Sequence, residues 1–325
     1  MKLLILSRED VASLLDMQTA IKLVDNAMRS LSLRETSQIV RRILPLPGSD
    51  GALGDMPGSL GTGKPFGLKC VAAFPFSKRG QSSHRGAVLL FDPSSGEPAA
   101  IIEAGLLTAI RTAAATASAT SYLARSDARV LGLIGTGEQA HWHARALVLV
   151  RPFQRILVWG RDRAKAALFA EAVQDAHGVP CKAVDKAAEA ASADVICTLT
   201  SASEPVLRGE WLYAGAHVNL VGSSSVTPCE ADELCVARSR YFVDWEESAR
   251  AQASEFHRAL NANVISDTHM LGEIGAVAVG RIAGRRDHRE ITLYKSLGVI
   301  VQDLVCAWHL YERAVAQRIG QRADF

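Results

Sequence analysis

The chain has 325 residues, 48% hydrophobic and 22% charged, a composition typical of a globular protein of about two domains. Lys plus Arg total 36 against 34 Asp plus Glu, so the formal net charge is +2, and no basic cluster indicates nucleic-acid binding. The six cysteines show no zinc-ligand spacing, and no apolar stretch is long enough for a membrane span or a signal peptide. We therefore expect a cytoplasmic protein without metal, membrane or nucleic-acid partners.

The first part of the chain predicts a domain of mixed helices and strands. Ser7 followed by Asp10 is typical of a capping box at a helix start. Residues 47–64 are rich in Gly, Ser and Asp, and we interpret them as a connecting loop. Apolar residues at helical spacing predict a second helix: Ile21, Val24, Met28 and Leu31. Apolar and β-branched runs predict strands at residues 40–46, 67–74 and 84–91.

The middle of the chain changes to short apolar strands that alternate with helices. Residues 105–125 predict a long, Ala-rich helix, and residues 298 onward predict another. The predicted strands between them are residues 130–134, 156–159, 195–199, 217–221 and 241–243. Such alternation is typical of a doubly wound parallel sheet, so we expect an α/β fold.

A glycine-rich turn follows the first of these strands. Gly135, Gly137 and Ala140 form a GxGxxA pattern between the strand and a predicted helix, which is the context of a dinucleotide-binding loop. The first glycine allows a tight turn, the second lets a pyrophosphate approach the backbone, and the anion meets the positive end of the helix. The alternative is a strand-to-helix turn that binds nothing. The predicted cofactor contacts here are Gly135, Thr136, Gly137, Glu138 and Gln139.

The tip of the next strand indicates which nicotinamide cofactor the loop would take. An acidic residue there would bind the ribose 2′-hydroxyl of NAD, whereas an arginine accommodates the 2′-phosphate of NADP. Gly160, Arg161 and Arg163 stand at this tip, so we expect NADPH, with Arg161 as the phosphate ligand and NADH possible. The alternative is that both arginines are solvated and Asp162 binds the hydroxyl.

Three cations interrupt apolar or small-residue patterns in the first domain. They are Arg41, Lys69 and Arg111, and a charge in such surroundings is costly unless a ligand or partner compensates it. A substrate carboxylate is one such counterion. The alternative is internal salt bridges with acidic residues of the same domain: Asp55, Glu97 and Glu103.

Several segments in order along the chain resemble the ornithine cyclodeaminase and mu-crystallin family. They are GLKCVAAFP, SSHRGAVLLFDPSSGEP, LLTAIRTAAATASA, LGLIGTGEQA and YKSLGVIVQDL. The resemblance implies a Rossmann domain at residues 126–300, with a nicotinamide cofactor. It also implies a second, mixed α+β domain at residues 1–125 plus 301–325, which binds a small imino or amino acid and forms a homodimer.

The resemblance also implies roles for individual residues. Arg41, Lys69 and Arg111 match the family's cations that hold the substrate carboxylate or lie against its reacting carbon, although Arg42 could take the place of Arg41. His84 is a further candidate for the substrate pocket. Val221, Gly222 and Lys295 are further candidate cofactor contacts. Thr112 is a candidate because it follows Arg111, and Thr198 and Ser201 are candidates because they lie at the carboxyl end of a predicted strand, where ligands of open sheets bind.

One position separates the branches of this family. Cyclodeaminases carry an aspartate two residues after the glycine that matches Gly222, whereas this chain has Ser224, as in the ketimine reductase-like branch. A serine hydroxyl is not a base near neutral pH. We therefore expect NADPH-dependent reduction of Δ1-pyrroline-2-carboxylate or Δ1-piperideine-2-carboxylate to proline or pipecolate. The alternatives are ornithine cyclodeamination, an alanine dehydrogenase-like reaction, or binding of NADPH and a small ligand without turnover.

Overall fold

A computed structural model describes residues 2–74 and 84–324. The helices are α1 (Arg8–Leu14), α2 (Met17–Ser32), α3 (Ala104–Leu123), α4 (Glu138–Leu147), α5 (Arg163–His177), α6 (Ala187–Ala191), α7 (Glu233–Ala237), α8 (Glu246–Gln252), α9 (Ser254–Asn261), α10 (Ile274–Ala278) and α11 (Ile300–Gln317). The strands are β1 (Lys2–Leu6), β2 (Ser37–Gln38), β3 (Arg42–Pro45), β4 (Ala52–Ser59), β5 (Phe66–Ala73), β6 (His84–Phe91), β7 (Pro98–Glu103), β8 (Val130–Ile134), β9 (Arg155–Trp159), β10 (Cys181–Ala183), β11 (Val195–Thr198), β12 (His217–Leu220), β13 (Ser239–Val243), β14 (Met270–Glu273), β15 (Ile291–Lys295) and β16 (Gln321–Asp324).

The chain divides into two compact units. Unit 1 comprises Met1–Ala114 and Val299–Phe325, and unit 2 comprises Ala115–Gly298. The division falls inside α3, ahead of the predicted boundary after residue 125. Within the described ranges, no helix is long and apolar enough to cross a lipid bilayer.

The sheet of unit 1 mixes parallel and antiparallel pairs. Its order is β16-β1-β7-β6-β5-β4-β2, with β3 also paired to β4, and only the β1 and β7 pair is parallel. The capping box predicted for α1 is confirmed, because the Ser7 hydroxyl accepts from the backbone N–H of Asp10 and the Asp10 carboxylate accepts from that of Ser7. The second predicted helix is also confirmed as α2, which buries Val24, Met28 and Leu31.

The interpretation of residues 47–64 as a loop is wrong, because they contain β4. All eight residues of β4 pair with β5. The composition looks like that of a loop because close packing requires glycine here. A Cβ added at Gly58 would lie 2.5 Å from the Cγ2 of Ile300 on α11, so only glycine lets the helix approach the sheet at this point.

The sheet of unit 2 is parallel throughout and has the order β10-β9-β8-β11-β12-β15-β13-β14. Its first five strands, β10-β9-β8-β11-β12, follow the 3-2-1-4-5 part of the strand order of the dinucleotide-binding fold, and β15, the last strand of this unit along the chain, takes the sixth place. The predicted α/β fold class is therefore confirmed. Residues of β11, β12 and β15 are all buried, because helices cover both faces of such a sheet. The strand order reverses between β8 and β11, and ligands of such sheets bind at the carboxyl ends of the strands beside this point.

Candidate functional site

A buried carboxylate joins two of the predicted substrate cations in unit 1. Lys69 lies on β5 and Arg111 on α3, and they are 4% and 5% exposed. Lys69 Nζ lies 2.9 Å and Arg111 Nε lies 3.0 Å from the same atom, Oδ1 of Asp303, which is fully buried in the first turn of α11. One negative charge therefore faces two positive charges, and this group carries a net positive charge.

Both cations retain hydrogen-bond donors for a ligand. Arg111 Nη1 donates to Oε1 of Gln302 at 2.9 Å, and within residues 2–74 and 84–324 no partner accepts from its Nη2. The ammonium of Lys69 has three donors, of which one reaches Asp303 and one lies 3.4 Å from the hydroxyl of Thr108. A net positive charge with unused donors is suited to a carboxylate.

The environment of Lys69 changes its protonation. Burial, and after it the repulsion of Arg111 and Arg41, lower the pKa of the Lys69 ammonium from 10.5 to about 7, against the opposing attraction of Asp303. An amine with a pKa near neutrality can hold or release a proton at physiological pH, which is what general acid–base chemistry requires.

The third predicted cation belongs to the same group. Arg41 is close enough to influence the pKa of Lys69. Arg42, the alternative to Arg41, extends into solvent with its side chain 69% exposed and pairs with Asp55 at 2.5 Å. The structure therefore brings Lys69 and Arg111 together on Asp303, places Arg41 near enough for its charge to act on Lys69, and leaves Arg42 apart.

Asp303 is the residue of this group that sequence reasoning did not identify. The alternative of internal salt bridges is confirmed in kind for Lys69 and Arg111, but their partner is Asp303 and not one of the three acids named for it. Glu103 instead accepts from backbone N–H groups at the start of α3. The signal was an aspartate in the first turn of a helix whose first half is otherwise mostly apolar, within the segment YKSLGVIVQDL. An isolated acid in such a segment needs a buried cation as its partner.

Two other predicted residues of unit 1 add little to this group. The side chain of His84 lies outside the described residues, although its backbone pairs with Ala73. The hydroxyl of Thr112 donates to the carbonyl of Thr108 at 2.6 Å, one turn earlier in α3. That bond uses the only O–H donor of Thr112. Because phosphate oxygens accept hydrogen bonds, the Thr112 side chain has no donor left to bind a cofactor phosphate.

Gly135 and Gly137, the two glycines of the dinucleotide loop in unit 2, are explained by different constraints. Gly135 has φ of +124°, and a Cβ there would lie 2.5 Å from the carbonyl oxygen of Leu199, so the fold itself requires glycine. Gly137 is the N-cap of α4 with φ of −85°, which any residue adopts, and an added Cβ would meet nothing within 4 Å. Packing does not explain Gly137, whereas the close approach of a ligand does.

The loop therefore fits a dinucleotide pyrophosphate. Residues 135–139 run directly into α4, a helix of ten residues, whose first backbone N–H groups have no partners in the helix. These N–H groups and the helix dipole favour an anion at this end. The residues that would hold the group are Gly135, Thr136, Gly137, Glu138 and Gln139.

The arginines after β9 differ in their surroundings. Arg161 is exposed and has no polar partner within the described ranges. The carboxylate of Asp162 accepts from the backbone N–H of Lys165 at 3.1 Å and so caps α5. Arg163 pairs with Asp185 at 3.0 Å with its side chain 81% exposed, so its predicted cofactor contact competes with this pair. Gly160 lies against Thr136, since an added Cβ would come 2.8 Å from Thr136 Cγ2.

The ammonium of Lys295 is fully used inside unit 2, which leaves it no donor for the predicted cofactor contact. Lys295 is completely buried, and Nζ lies 2.8 Å from Oε2 of Glu255 and 2.6 and 2.5 Å from the carbonyl and hydroxyl oxygens of Ser223. These three contacts match the three donors of an ammonium. The next residue, Ser296, is 2% exposed, and its hydroxyl has no partner in the described part of the chain.

The other predicted contacts lie at the ends of β11 and β12. Thr198 is buried and donates to Oε2 of Glu230 at 2.7 Å, so its donor is not available to a cofactor, whereas Ser201 is exposed. Val221 and Gly222 follow β12, and a Cβ at Gly222 would lie 2.1 Å from the carbonyl oxygen of Thr200. Ser224 is half-buried in this loop, and its side chain has no partner among the described residues.

Comparison with known proteins gives consistent matches over the whole chain. The family model of the Ornithine cyclodeaminase/mu-crystallin family matches residues 1–318. A Delta(1)-pyrroline-2-carboxylate reductase of Bacillus cereus is 34% identical over 99% of this chain and 100% of its own length.

Within residues 2–74 and 84–324, His, Cys, Asp and Glu side chains form no group of three that could hold a metal ion.

Two solved structures extend this similarity to three dimensions. The Delta(1)-pyrroline-2-carboxylate reductase of Thermococcus litoralis, in complex with NADH and L-proline, has a TM-score of 0.96 and 33% identity over 99% of this chain and 100% of that chain. An archaeal alanine dehydrogenase dimer with bound NAD has a TM-score of 0.94 and 31% identity, and each chain is fully covered.

Proposed function

The chain belongs to the ornithine cyclodeaminase/mu-crystallin family, as its motifs predicted, and we propose that it reduces the C=N bond of a cyclic imino acid. It is an NAD(P)-dependent oxidoreductase that acts on the C=N or CH–NH bond of an imino or amino acid. The proposed substrates are Δ1-pyrroline-2-carboxylate and Δ1-piperideine-2-carboxylate, with proline and pipecolate as products.

The observation that carries this proposal is the pair of buried cations on one carboxylate oxygen. Arg111 would bind the substrate carboxylate through its unused Nη2, and Arg41 would add positive charge beside it. A bidentate or paired contact of this kind fixes the orientation of a small acid, and orientation is one of the largest contributions to catalysis.

Lys69 supplies the proton chemistry in this proposal. Asp303 holds its Nζ in place, and the pKa of about 7 lets the ammonium lose a proton near neutral pH. A bound nicotinamide would supply the hydride. Lys69 would polarise or protonate the imine nitrogen, because a protonated imine accepts negative charge at carbon more readily.

Ser224 supports reduction of an imine over cyclisation of a diamino acid. It stands where the cyclodeaminases of this family are expected to carry an aspartate, and a hydroxyl neither balances an ammonium nor removes its proton near neutral pH. The similarity to a reductase that was solved with L-proline supports the same reading.

We propose NADPH as the preferred cofactor because of Arg161. An exposed arginine without a described partner at the end of β9 is suited to a 2′-phosphate, and the nearest carboxylate, Asp162, caps α5. NADH is the competing choice, since the two solved relatives hold NADH and NAD.

Arg161→Ala is expected to raise the Kd for NADPH by about tenfold or more, the effect of losing one charged hydrogen bond, and to leave the Kd for NADH almost unchanged. Fluorescence titration of both cofactors would measure this difference. Arg163→Ala is the matched control, since Arg163 pairs with Asp185 and should affect neither cofactor strongly. Equal weakening of NADPH and NADH by Arg161→Ala would contradict the assignment of the 2′-phosphate.

We also propose that the chain forms a homodimer through unit 1. Large apolar side chains are exposed around β2, β3 and β4, and such a cluster is unusual on a monomer. They are Ile39, Ile43, Leu44, Leu53 and Phe74, between 36% and 61% exposed. A second copy of this chain would bury them, in keeping with the dimer of the similar alanine dehydrogenase.

The test of the proposed function is the consumption of NADPH or NADH with each candidate substrate, followed by identification of the product. Fast formation of proline from Δ1-pyrroline-2-carboxylate is the expected result. The similarity to an alanine dehydrogenase makes pyruvate plus ammonia the second candidate, and it predicts turnover that depends on ammonia. Turnover of ornithine alone would overturn the argument from Ser224, and cofactor binding without any turnover would favour a binding protein.

A further inference from the structure

A second buried carboxylate, that of Glu230, lies in unit 2 at the ends of β11 and β12. It is fully buried and accepts five hydrogen bonds, more than any substrate or cofactor residue considered above. The proposed function gives this carboxylate no role.

The five donors come from both strand ends and from the loop that follows β12. Thr198, the last residue of β11, donates its hydroxyl, and Thr200 donates its hydroxyl at 2.8 Å and its backbone N–H at 2.7 Å. From the loop after β12, the backbone N–H groups of Gly222 and Ser223 donate at 2.6 and 3.3 Å. One side chain therefore holds the carboxyl ends of two adjacent strands together.

A second layer fixes the same loop from its other side. Lys295 donates to the carbonyl and hydroxyl oxygens of Ser223, and the Ser223 hydroxyl donates in turn to Glu255. Glu255 also accepts from the backbone N–H of Glu230 at 3.0 Å. Ser223 is thus held through its N–H, its carbonyl and its hydroxyl, and Ser224 is attached directly to it.

The position of β11 and β12 in the sheet indicates which half of the cofactor their ends would contact. β8, β9 and β10 lie on one side of the point where the strand order reverses and form one mononucleotide-binding half, and β11 and β12 lie on the other side and belong to the second half. The residue after β9 selects the adenosine ribose, so the first half takes the adenine nucleotide and the second half takes the nicotinamide nucleotide. Glu230 joins two strands of the second half.

We infer that Glu230 is a positioning residue for the nicotinamide half of the cofactor, an inference that rests on the proposed function. It holds the ends of β11 and β12 and the loop with Ser224 in one arrangement, and it acts through these groups without being a ligand itself. A carboxylate suits this position because all five partners donate, whereas an amide would place its own N–H donors against some of them.

The test compares the cofactor that the wild type binds, NADPH or NADH, with the same molecule lacking nicotinamide, which is 2′-phospho-ADP-ribose or ADP-ribose. In Glu230→Gln we expect the Kd of the intact cofactor to rise by about tenfold or more, because the strand ends and the loop that would contact the nicotinamide half lose the charged hydrogen bonds that hold them in place. The Kd of the truncated molecule should change less than about twofold, since the adenine half remains intact. Glu171→Gln, on the exposed surface of α5 in the same unit, is the matched control and should change neither value.

Thermal unfolding would show whether Glu230→Gln folds. If it does not, Thr200→Val replaces it, because this variant keeps the carboxylate and removes one of the five donors, together with the acceptor of the Ala202 backbone N–H. The same preferential weakening of the intact cofactor is expected. Equal weakening of both molecules, or no weakening of either, overturns the inference alone. A wild type that binds neither NADPH nor NADH overturns the proposed function and this inference with it.

Discussion

A Lys69→Met variant is expected to lose about 10²- to 10⁴-fold in kcat/KM for the imino acid, the usual contribution of a positioned general acid. The loss should fall mainly on kcat, because the carboxylate contacts assigned to Arg111 and Arg41 remain. The fold should tolerate the change, since Asp303 keeps its bond to Arg111 and methionine fills most of the volume of lysine. Steady-state kinetics and thermal unfolding would measure both effects.

The pH profile of the wild type should identify Lys69 as the source of this effect. The pKa of Lys69 is lowered to about 7, so the ammonium is present below that pH and is lost as the pH rises through it. We expect kcat/KM for reduction to decrease above about pH 7 as the proton donor is lost. Bound substrate carboxylate would raise this pKa, so the decrease in kcat should come at a higher pH.

Two variants test whether Lys69 is the group that titrates. Lys64→Met changes an exposed lysine of unit 1, and its kinetics should match those of the wild type. In Lys69→Met the decrease above pH 7 should disappear, because the titrating group is gone. If the variant kept both its rate and the same pH profile, the titrating group would be the substrate or another residue, and Lys69 would have no catalytic role.

The sequence predicted those parts of the fold that depend on local pattern. The turn from β8 into α4 was predicted because its two glycines, the apolar strand before it and the helix after it all lie within a short segment. The strand β6 and the capping box of α1 were also predicted, since both depend on neighbouring residues. The composition of β4, in contrast, indicated a loop, because one of its glycines, Gly58, serves the approach of a helix more than two hundred residues away.

The candidate site shows the same difference between local and long-range information. Arg41, Lys69 and Arg111 were identified because each interrupts its own local pattern, but their common partner Asp303 comes from the other end of the chain. Lys295 was assigned to the cofactor from the family resemblance alone, and no local pattern shows that Glu255 and Ser223 use all its donors. Charge pairs between distant segments cannot be read from either segment alone.

Gly137→Val is expected to remove cofactor binding while the protein remains folded. The backbone of Gly137 is extended and an added Cβ meets no protein atom within 4 Å, so the substitution costs little beyond a weaker N-cap. A branched side chain would instead occupy the space that the pyrophosphate needs beside the first N–H groups of α4. Losing two such charged hydrogen bonds, at about 1.5 kcal/mol each or more, would raise the Kd about 100-fold or more.

Gly178→Asn provides the matched control for this loss of binding. Gly178 ends α5 in the same unit with φ of +67°, a conformation that asparagine adopts more easily than other residues, and it also has no atom within 4 Å of an added Cβ. This variant should bind the cofactor as the wild type does. Titration calorimetry of NADPH and NADH with both variants would measure the difference. The space beside Gly137 is not explained by the packing of unit 2, so a bound pyrophosphate is the proposed reason for it. If Gly137→Val bound the cofactor normally, residues 135–139 would be a turn that shapes the fold and holds no pyrophosphate.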